Sequence, residues 1–219
     1  MPENIKIIKM GVVPYAGALQ RMKECHANVL QSGNGVILVV EHPPVVTMGN
    51  RLLQQDMRVS EESLRASGID FAHIDRGGSV TVHELGQSVV YPILPVSASR
   101  LTVRRFVWCL EESMIIVAKA HGVIASRDEI NPGIWVGNNK LGAIGIRVAN
   151  RVSKHGLAFN VNNSLATFRY IVPCGLQERW VTTLSDEMRK AKSAVPINSL
   201  EVASIGEQIA NEIVLLVNC

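Results

Sequence analysis

The 219-residue sequence has no long hydrophobic run and little net charge, and only 5% of its residues are aromatic. No apolar stretch approaches the ~18 residues that a membrane-spanning helix needs. Charged residues interrupt the apolar ones near the N-terminus, so a signal peptide is not expected. The net charge of +3 is too small to indicate nucleic-acid binding. We therefore expect a cytoplasmic protein with no membrane and no nucleic-acid partner.

Cysteine is also scarce, and its spacing excludes several classes of site. The four cysteines at positions 25, 109, 174 and 219 contain no C-x-x-C pair, and so few in a chain of this size do not make a disulfide scaffold. Residues 83–87 read HELGQ, which lacks the second histidine of the H-E-x-x-H zinc motif. Neither a Walker A loop nor a complete dinucleotide-binding glycine motif is present. The sequence predicts no metal site.

Hydrophobic residues make up 47% of the chain, enough to form a sizeable core, and their spacing predicts both helices and strands. The predicted helices cover residues 15–31, 60–68, 102–121 and 199–217. The predicted strands cover residues 36–41, 70–75, 80–83, 88–94, 134–136, 141–148 and 157–161. Ser60 and Thr102 are suited to cap helices, and Gly122 to end one.

These elements do not alternate as regular βαβ units. An α+β fold with a largely antiparallel or mixed sheet is therefore predicted. We expect a single domain over residues 1–219, with a C-terminal helix at about 190–219 packed on it.

Core packing alone does not require three segments of the sequence: residues 76–83, 140–147 and 171–175. Residues 76–83 read RGGSVTVH, in which Gly77 and Gly78 allow positive φ and a close approach of a ligand to the backbone. Taken alone, the glycines are explained more simply by a tight turn. Lys140 begins a strand of small and apolar residues, so its ammonium is expected at the edge of a buried region. A lysine that only extends its stem along that edge is the alternative.

Among the cysteines, Cys174 alone is predicted to lie in an irregular loop, between Pro173 and Gly175. Cys25 and Cys109 fall in predicted helices and are explained most simply by packing. Cys219 is the terminal residue. If one of the cysteines is a nucleophile, the sequence favours Cys174.

Taken together, these segments resemble the octanoyltransferases of lipoate biosynthesis, the lipoyl(octanoyl) transferases, over about residues 11–188. The resemblance is carried by residues 76–83, 133–136, 140–147, 155–158 and 171–175, with Gln87, Tyr91 and Pro92. It implies a biotin/lipoate protein ligase-like fold with a central mixed β-sheet and flanking helices. It also implies transfer of an octanoyl group from octanoyl-acyl carrier protein to a lysine of a lipoyl domain, in 2-oxoacid dehydrogenases or the glycine cleavage H protein.

The resemblance further implies which residues do the chemistry. Cys174 would be the acyl-thioester nucleophile, and Lys140 would lower the pKa of its thiol. Because a thioester keeps the activation of the donor, neither a cofactor nor a metal would be needed. His155 is a candidate supporting residue. The implied substrate pocket consists of Arg76, Gly77, Gly78, Ser79, Val80, Thr81, Val82, His83, Ala143, Ile144, Gly145, Gly156, Leu157 and Ala158.

One departure and several alternatives remain open at this point. The family usually has Gly-Pro after the motif histidine, where this chain has Glu84 and Leu85. We expect the added carboxylate to raise the pKa of His83 or to alter acceptor contacts. The main alternative is a lipoate or biotin protein ligase that works through an acyl-adenylate and needs ATP. A non-catalytic homologue and a thioesterase are further alternatives.

Basic residues are expected to contribute to partner binding. Acyl carrier proteins and lipoyl domains are typically acidic. Arg147, Arg151 and Lys154 flank the implied pocket segments in sequence, so we predict that they bind the carrier.

Overall fold

The structure, a computed structural model, describes residues 4–51, 56–97, 101–129, 131–172, 179–196 and 200–219. Its elements in chain order are β1 (Ile5–Val12), α1 (Tyr15–Ser32), β2 (Gly35–Glu41), β3 (Val45–Met48), α2 (Glu61–Ala66), β4 (Asp70–His73), β5 (Val80–His83), β6 (Gln87–Ile93), α3 (Val103–Ala120), β7 (Ser126–Arg127), β8 (Gly133–Val136), β9 (Asn139–Ala149), β10 (Val152–Asn160), a 3₁₀ helix (Ala166–Tyr170), β11 (Trp180–Val181), α4 (Leu184–Ala191) and α5 (Val202–Asn218).

The described strands form a large central sheet and a small one. The central sheet has the order β1-β2-β6-β10-β9-β8-β7, and β11 pairs with β9. The β1–β2 and β9–β11 pairs are parallel, and the other neighbours are antiparallel. The small sheet has the order β4-β3-β5. The prediction of an α+β fold with a mixed sheet is confirmed.

Strand β2 is apolar up to its last residue, Glu41, because both of its faces are covered. Ile37 and Val39 belong to the larger core cluster, to which α3 and α5 contribute. Leu38 and Val40 point to the opposite face and pack with residues of α1. Helices therefore cover the sheet on both sides. Helix α5 contacts α3 as well as β1, β2 and β6.

The predicted helix ends agree with the structure. The side chain of Ser60 accepts a hydrogen bond from the backbone N–H of Ser63, and that of Thr102 from the N–H of Arg105. Gly122, at a φ of 79°, follows the end of α3. None of the helices in the described ranges combines the length and hydropathy that crossing a membrane requires.

Six of the elements given above were not predicted: β1, β3, β7, the 3₁₀ helix, β11 and α4. In β1 the charged residues Lys6 and Lys9 break the apolar run, yet the strand is held by parallel pairing with β2. In α4 only two apolar side chains, Leu184 and Met188, are buried among its eight residues, which is too few to give a periodic signal. The strand predicted over 157–161 is also longer, since β10 begins at Val152.

Candidate active site

A cavity of about 440 Å³ lies between the 76–83 segment, β9 and β10. The implied site residues that line it are Arg76, Gly77, Gly78, Ser79, Val80, Thr81, His83, Lys140, Ala143, Ile144, Gly145, His155, Gly156, Leu157 and Ala158. Val82 does not line it, because its side chain is fully buried in the core cluster of the small sheet. The fold thus brings the 76–83 segment against the β9–β10 hairpin, which lies far from it along the chain.

Backbone hydrogen bonds fix the glycine-containing turn at the start of the 76–83 segment. The N–H of Gly77 donates to the carbonyl of Ile146 on β9 at 3.0 Å, and the N–H of Gly49 donates to that of Ser79 at 2.8 Å. Gly78 has a φ of 84°, which other residues adopt only with strain. The two glycines therefore do form a turn, and the turn forms part of the cavity wall.

Arg76 is a buried cation whose guanidinium is held by oxygen atoms. Its Nη1 donates to the carbonyl oxygen of Gly77 at 2.9 Å, and its Nη2 donates to the carbonyl oxygen of Thr47 at 2.7 Å. Only 7% of the residue is exposed. The guanidinium ties the turn to β3 and places a positive charge in the wall of the cavity.

The carboxylate of Asp75, next in sequence to Arg76, contacts three basic side chains of β9 and β10. Its carboxylate oxygens lie 2.7 Å from Lys154 Nζ, 2.7 Å from His155 Nε2 and 3.1 Å from Arg147 Nη1. Burial works against the charge, but the hydrogen bonds from His155 and Lys154 outweigh it and lower the pKa of Asp75 to about 2. Two of the three residues predicted to bind the carrier, Arg147 and Lys154, are thus ion-paired within the chain.

Lys140 lies on β9 in the wall of the cavity and is only 7% exposed. Its Nζ lies 5.0 Å from the centroid of the Trp135 ring, close enough for a cation–π attraction. Its backbone is paired with Val181 of β11, and its carbonyl accepts a hydrogen bond from the N–H of Thr182 at 3.0 Å. The ammonium is therefore buried at the cavity wall, further inside than the edge position expected from sequence.

Cys174, the predicted nucleophile, lies outside the described residues. The described residues on either side of it are tied to the cavity region, since the N–H of Val172 donates to the carbonyl of Asp56 at 2.8 Å and Val181 pairs with Lys140. Cys25 and Cys109 are buried in helices, as predicted, and burial raises the pKa of both thiols. Such thiols are poor nucleophiles near neutral pH.

His83 is a neutral residue in a hydrogen-bonded network. Its Nδ1 lies 2.8 Å from Gln87 Oε1, and the amide nitrogen of Gln87 donates to the carbonyl of Val82 and to Asn160 Oδ1. Since the amide oxygen must then accept, we assign the proton of His83 to Nδ1, which leaves Nε2 as an acceptor. Burial, assisted by nearby His42, lowers the pKa of His83 to about 3.

The expectation that Glu84 raises the pKa of His83 is wrong. The pKa is lowered, with burial as the largest cause. The two carboxylate oxygens of Glu84 accept hydrogen bonds from Asn163 Nδ2 at 3.1 Å and from the N–H of Thr167 at 3.2 Å. Glu84 is 4% exposed, so this carboxylate secures the segment that leads to the 3₁₀ helix.

Small residues at the cavity have two separate roles. A Cβ on Gly156 would lie 2.0 Å from the carbonyl oxygen of Val90, and one on Gly145 would lie 2.8 Å from Arg76 Cδ. At these two positions glycine is required by close packing. Ala143 and Ala158 face each other across β9 and β10 and both line the cavity. The alanines therefore set the space available to a ligand.

Comparison with known proteins agrees with this geometry. The family profile of the lipoyl protein ligase A/B catalytic domain matches residues 14–213. The octanoyltransferase of Alkaliphilus metalliredigens (strain QYMF) is 40% identical over 186 residues, which cover 84% of this chain and 85% of that protein. The chain belongs to the octanoyltransferases of the lipoyl protein ligase A/B family.

Other octanoyltransferases show similar agreement. That of Caldicellulosiruptor bescii (strain ATCC BAA-1888 / DSM 6725 / KCTC 15123 / Z-1320) is 42% identical over 183 residues, covering 82% of this chain and 80% of that protein. That of Bacteroides fragilis (strain YCH46) is 36% identical over 215 residues, covering 92% of this chain and 93% of that protein.

Solved structures of ligases share the fold. A crystal structure of lipoate-protein ligase A bound with ATP has a TM-score of 0.73 at 13% identity, covering 100% of this chain and 86% of that chain. Biotin protein ligase from Aquifex aeolicus in complex with biotin and ATP has a TM-score of 0.54 at 12% identity, covering 99% of this chain and 71% of that chain. At this identity the likeness concerns the fold alone. The predicted ligase-like fold is confirmed.

Sequence reasoning missed several residues at this cavity. Tyr15, Asp56 and Asn131 line the cavity, although they lie outside the segments that carry the resemblance. His42 lies behind the cavity wall, and its Nε2 is 2.9 Å from the hydroxyl of Tyr91. Of these, only the isolated histidine before two prolines gave a signal that could have been followed.

Proposed function

We propose that the protein transfers an octanoyl group from octanoyl-acyl carrier protein to a specific lysine of lipoyl domains. The acceptors would be the lipoyl domains of 2-oxoacid dehydrogenases and the glycine cleavage H protein. The observation that carries this proposal is a buried lysine, Lys140, in the wall of a cavity that Ala143 and Ala158 also line. Its support is the family membership of the chain and its identity to octanoyltransferases over most of its length.

In the first half of the reaction, the thiolate of Cys174 would attack the carbonyl carbon of the octanoyl thioester. A C–S bond to Cys174 forms, the C–S bond to the carrier breaks, and the carrier thiolate leaves and takes up a proton. A free thiol with its usual pKa of about 8.5 is only slightly ionised near pH 7. A nearby ammonium such as that of Lys140 favours the thiolate.

In the second half, the amine of the acceptor lysine would attack the Cys174 thioester. The amide bond forms, the C–S bond breaks, and Cys174 is regenerated. The attacking amine must lose a proton and the departing thiolate must gain one, so Lys140 would act in proton transfer as well as through its charge. Amide formation from a thioester is downhill, and the reaction as proposed uses neither ATP nor a metal.

Intact-mass spectrometry tests the proposal. Incubation with octanoyl-acyl carrier protein should add one octanoyl group to the wild-type protein, and hydroxylamine should release it. Cys174→Ala should remain unmodified, whereas the control Cys219→Ala, which alters an exposed cysteine, should be modified like the wild type. Addition of an apo lipoyl domain should move the octanoyl mass to that domain without ATP.

Three outcomes would contradict it. Transfer only in the presence of ATP would identify an acyl-adenylate ligase. Release of free octanoate with no lipoyl-domain product would identify a thioesterase. A wild-type protein that neither gains octanoyl groups nor transfers them would be a non-catalytic homologue.

A single domain over residues 1–219 and a cytoplasmic location also remain predictions.

A further inference from the structure

Two arginine–aromatic contacts lie side by side on the surface. The guanidinium carbon of Arg58 lies 5.9 Å from the ring centroid of Trp180, and that of Arg169 lies 4.9 Å from that of Tyr170. The N–H of Arg58 donates to the carbonyl of Tyr170 at 3.0 Å, which joins the two pairs. We call Arg58, Arg169, Tyr170 and Trp180 the arginine–aromatic surface.

The charge of this surface is not neutralised within the described part of the chain. Both arginines are exposed, and neither forms an ion pair with a carboxylate of a described residue, in contrast to Arg147 with Asp75 and Arg179 with Asp128. Trp180 is 41% exposed. Arg169 Nη2 also donates to the hydroxyl of Tyr170 at 2.9 Å. The cation–π contacts hold both guanidinium groups at the surface, where their other N–H groups can bind carboxylate or phosphate groups.

The surface adjoins the wall of the cavity that carries Lys140. Asp56, two residues before Arg58, lines the cavity, and its carbonyl accepts a hydrogen bond from the N–H of Val172. Val181, next to Trp180, is buried and pairs with Lys140. The elements that position the two arginines therefore also border the site where acyl transfer is proposed.

We propose that the arginine–aromatic surface binds the acidic carrier domain that delivers the acyl thioester. This inference rests on the proposed function and names the surface that recognises the donor. The donor brings acidic side chains and the phosphodiester of its pantetheine arm, both of which arginine binds well. Lipoyl domains are typically acidic too, but they carry no phosphodiester. The donor is therefore the partner that offers the two arginines both kinds of anionic group.

The test compares Arg58→Glu, Arg169→Glu and the double variant with wild type. The control is Arg104→Glu, which makes the same charge change at an exposed position on α3. Octanoyl transfer is measured with octanoyl-acyl carrier protein and with octanoyl-pantetheine, which has neither the protein nor the phosphate. Binding of the holo carrier is measured separately by fluorescence anisotropy at low and at high salt.

Reversal of each charge should lower kcat/KM for the carrier-bound donor by about tenfold. Binding of the holo carrier to the double variant should also depend much less on the salt concentration than binding to wild type. Activity with octanoyl-pantetheine should stay within about twofold of wild type for every variant, and Arg104→Glu should match wild type with both donors.

Equal losses of kcat/KM with both donors, or no loss of kcat/KM with the carrier-bound donor, would overturn the proposal. A loss confined to transfer from preformed octanoyl-enzyme to the lipoyl domain would also overturn it, because the surface would then bind the acceptor. The binding measurement separates this inference from the proposed function. If wild type binds the carrier, the double variant does not, and no octanoyl transfer occurs, then the docking surface stands and the transferase function fails.

Discussion

His155 and Asp75 connect the two sides of the cavity, with His155 Nε2 2.7 Å from Asp75 Oδ1. Asp75 precedes the glycine turn, whereas His155 lies on β10 with a φ of 58°, which is unusual for a residue other than glycine. Burial lowers the pKa of His155 although Asp75 opposes the shift, so the ring is neutral and donates from Nε2. The pair holds the glycine turn against the β9–β10 hairpin.

Asp75→Asn should destabilise the protein because the amide carries no charge to pair with Lys154 and Arg147. The carboxylate is 38% exposed, so solvent screening limits the expected loss to about 1 kcal/mol, or about 2–4 °C in Tm. The folded-state pKa of Asp75 is lowered to about 2. Its contribution is therefore full above the usual aspartate pKa of about 4 and is lost as the pH falls toward 2.

Thermal unfolding of wild type and Asp75→Asn at pH 7 and pH 3 measures this effect. The difference in Tm should shrink at pH 3. Asp70→Asn, at an exposed position of β4, serves as a matched control and should lower the Tm less at pH 7. A difference between wild type and Asp75→Asn that does not change with pH would contradict the assigned role of the carboxylate.

His83→Gln should make the stability less dependent on pH. In the folded protein the pKa of His83 is lowered to about 3, whereas in the unfolded chain a histidine titrates near 6.5. Between these values the unfolded chain binds one more proton, so wild-type stability falls as the pH decreases below about 6.5. Plots of Tm against pH from 7 to 5 should be shallower for the variant, and parallel plots would refute the prediction.

Variants of Lys140 separate the effect of its charge from proton transfer. In a Cys219→Ala background, Lys140→Met should slow alkylation of Cys174 by iodoacetamide at pH 7 by about tenfold, since the thiolate loses its cationic neighbour. Lys140→Arg keeps the charge and should retain most of the alkylation. Its octanoyl transfer should still fall by about 100-fold, because arginine does not release a proton near neutral pH.

Two results would change this interpretation of Lys140. Transfer by Lys140→Arg close to the wild-type rate would leave only the electrostatic role. An alkylation pH profile of Lys140→Met identical to that of wild type would remove Lys140 as the group that tunes the thiol.

Ala158→Leu should shorten the acyl chain that the enzyme accepts, because the larger side chain extends into the cavity opposite Ala143. We expect kcat/KM for octanoyl donors to fall by about tenfold or more, with a smaller loss for butyryl donors. A series of acyl-pantetheine substrates of increasing chain length measures the preference. Ala149→Leu, near the end of β9 and outside the cavity wall, should leave it unchanged. A uniform loss for all chain lengths would argue against a role in acyl selection.

Glu84→Gln should lower stability without changing the pH dependence of transfer. The amide would present an N–H group to one of two donors, the Thr167 N–H or the Asn163 amide, and would leave a buried group unsatisfied at a cost of about 1–3 kcal/mol. Differential scanning calorimetry measures the loss. A shifted pH–rate profile would show that the carboxylate acts on His83 after all.

Much of the architecture could be predicted because it depends on local signals. Helices α1 and α3 follow from apolar spacing, and the caps at Ser60 and Thr102 follow from side chains that satisfy free N–H groups in the first turn. Strand β1 could not be predicted with the same rules. Its lysines break the alternation, and only pairing with β2 stabilises it as a strand.

The sequence by itself determined the 76–83 and 140–147 segments of the cavity, because adjacent glycines and a lysine in an apolar strand are local and unusual. Tertiary structure alone decided how these segments meet. It placed Lys140 over Trp135, paired Asp75 with Arg147 and Lys154, and turned Glu84 toward Asn163 rather than His83. These contacts, other than that with Trp135, join residues about 70–80 positions apart, where local periodicity carries no information and the sheet register brings the side chains within hydrogen-bond distance.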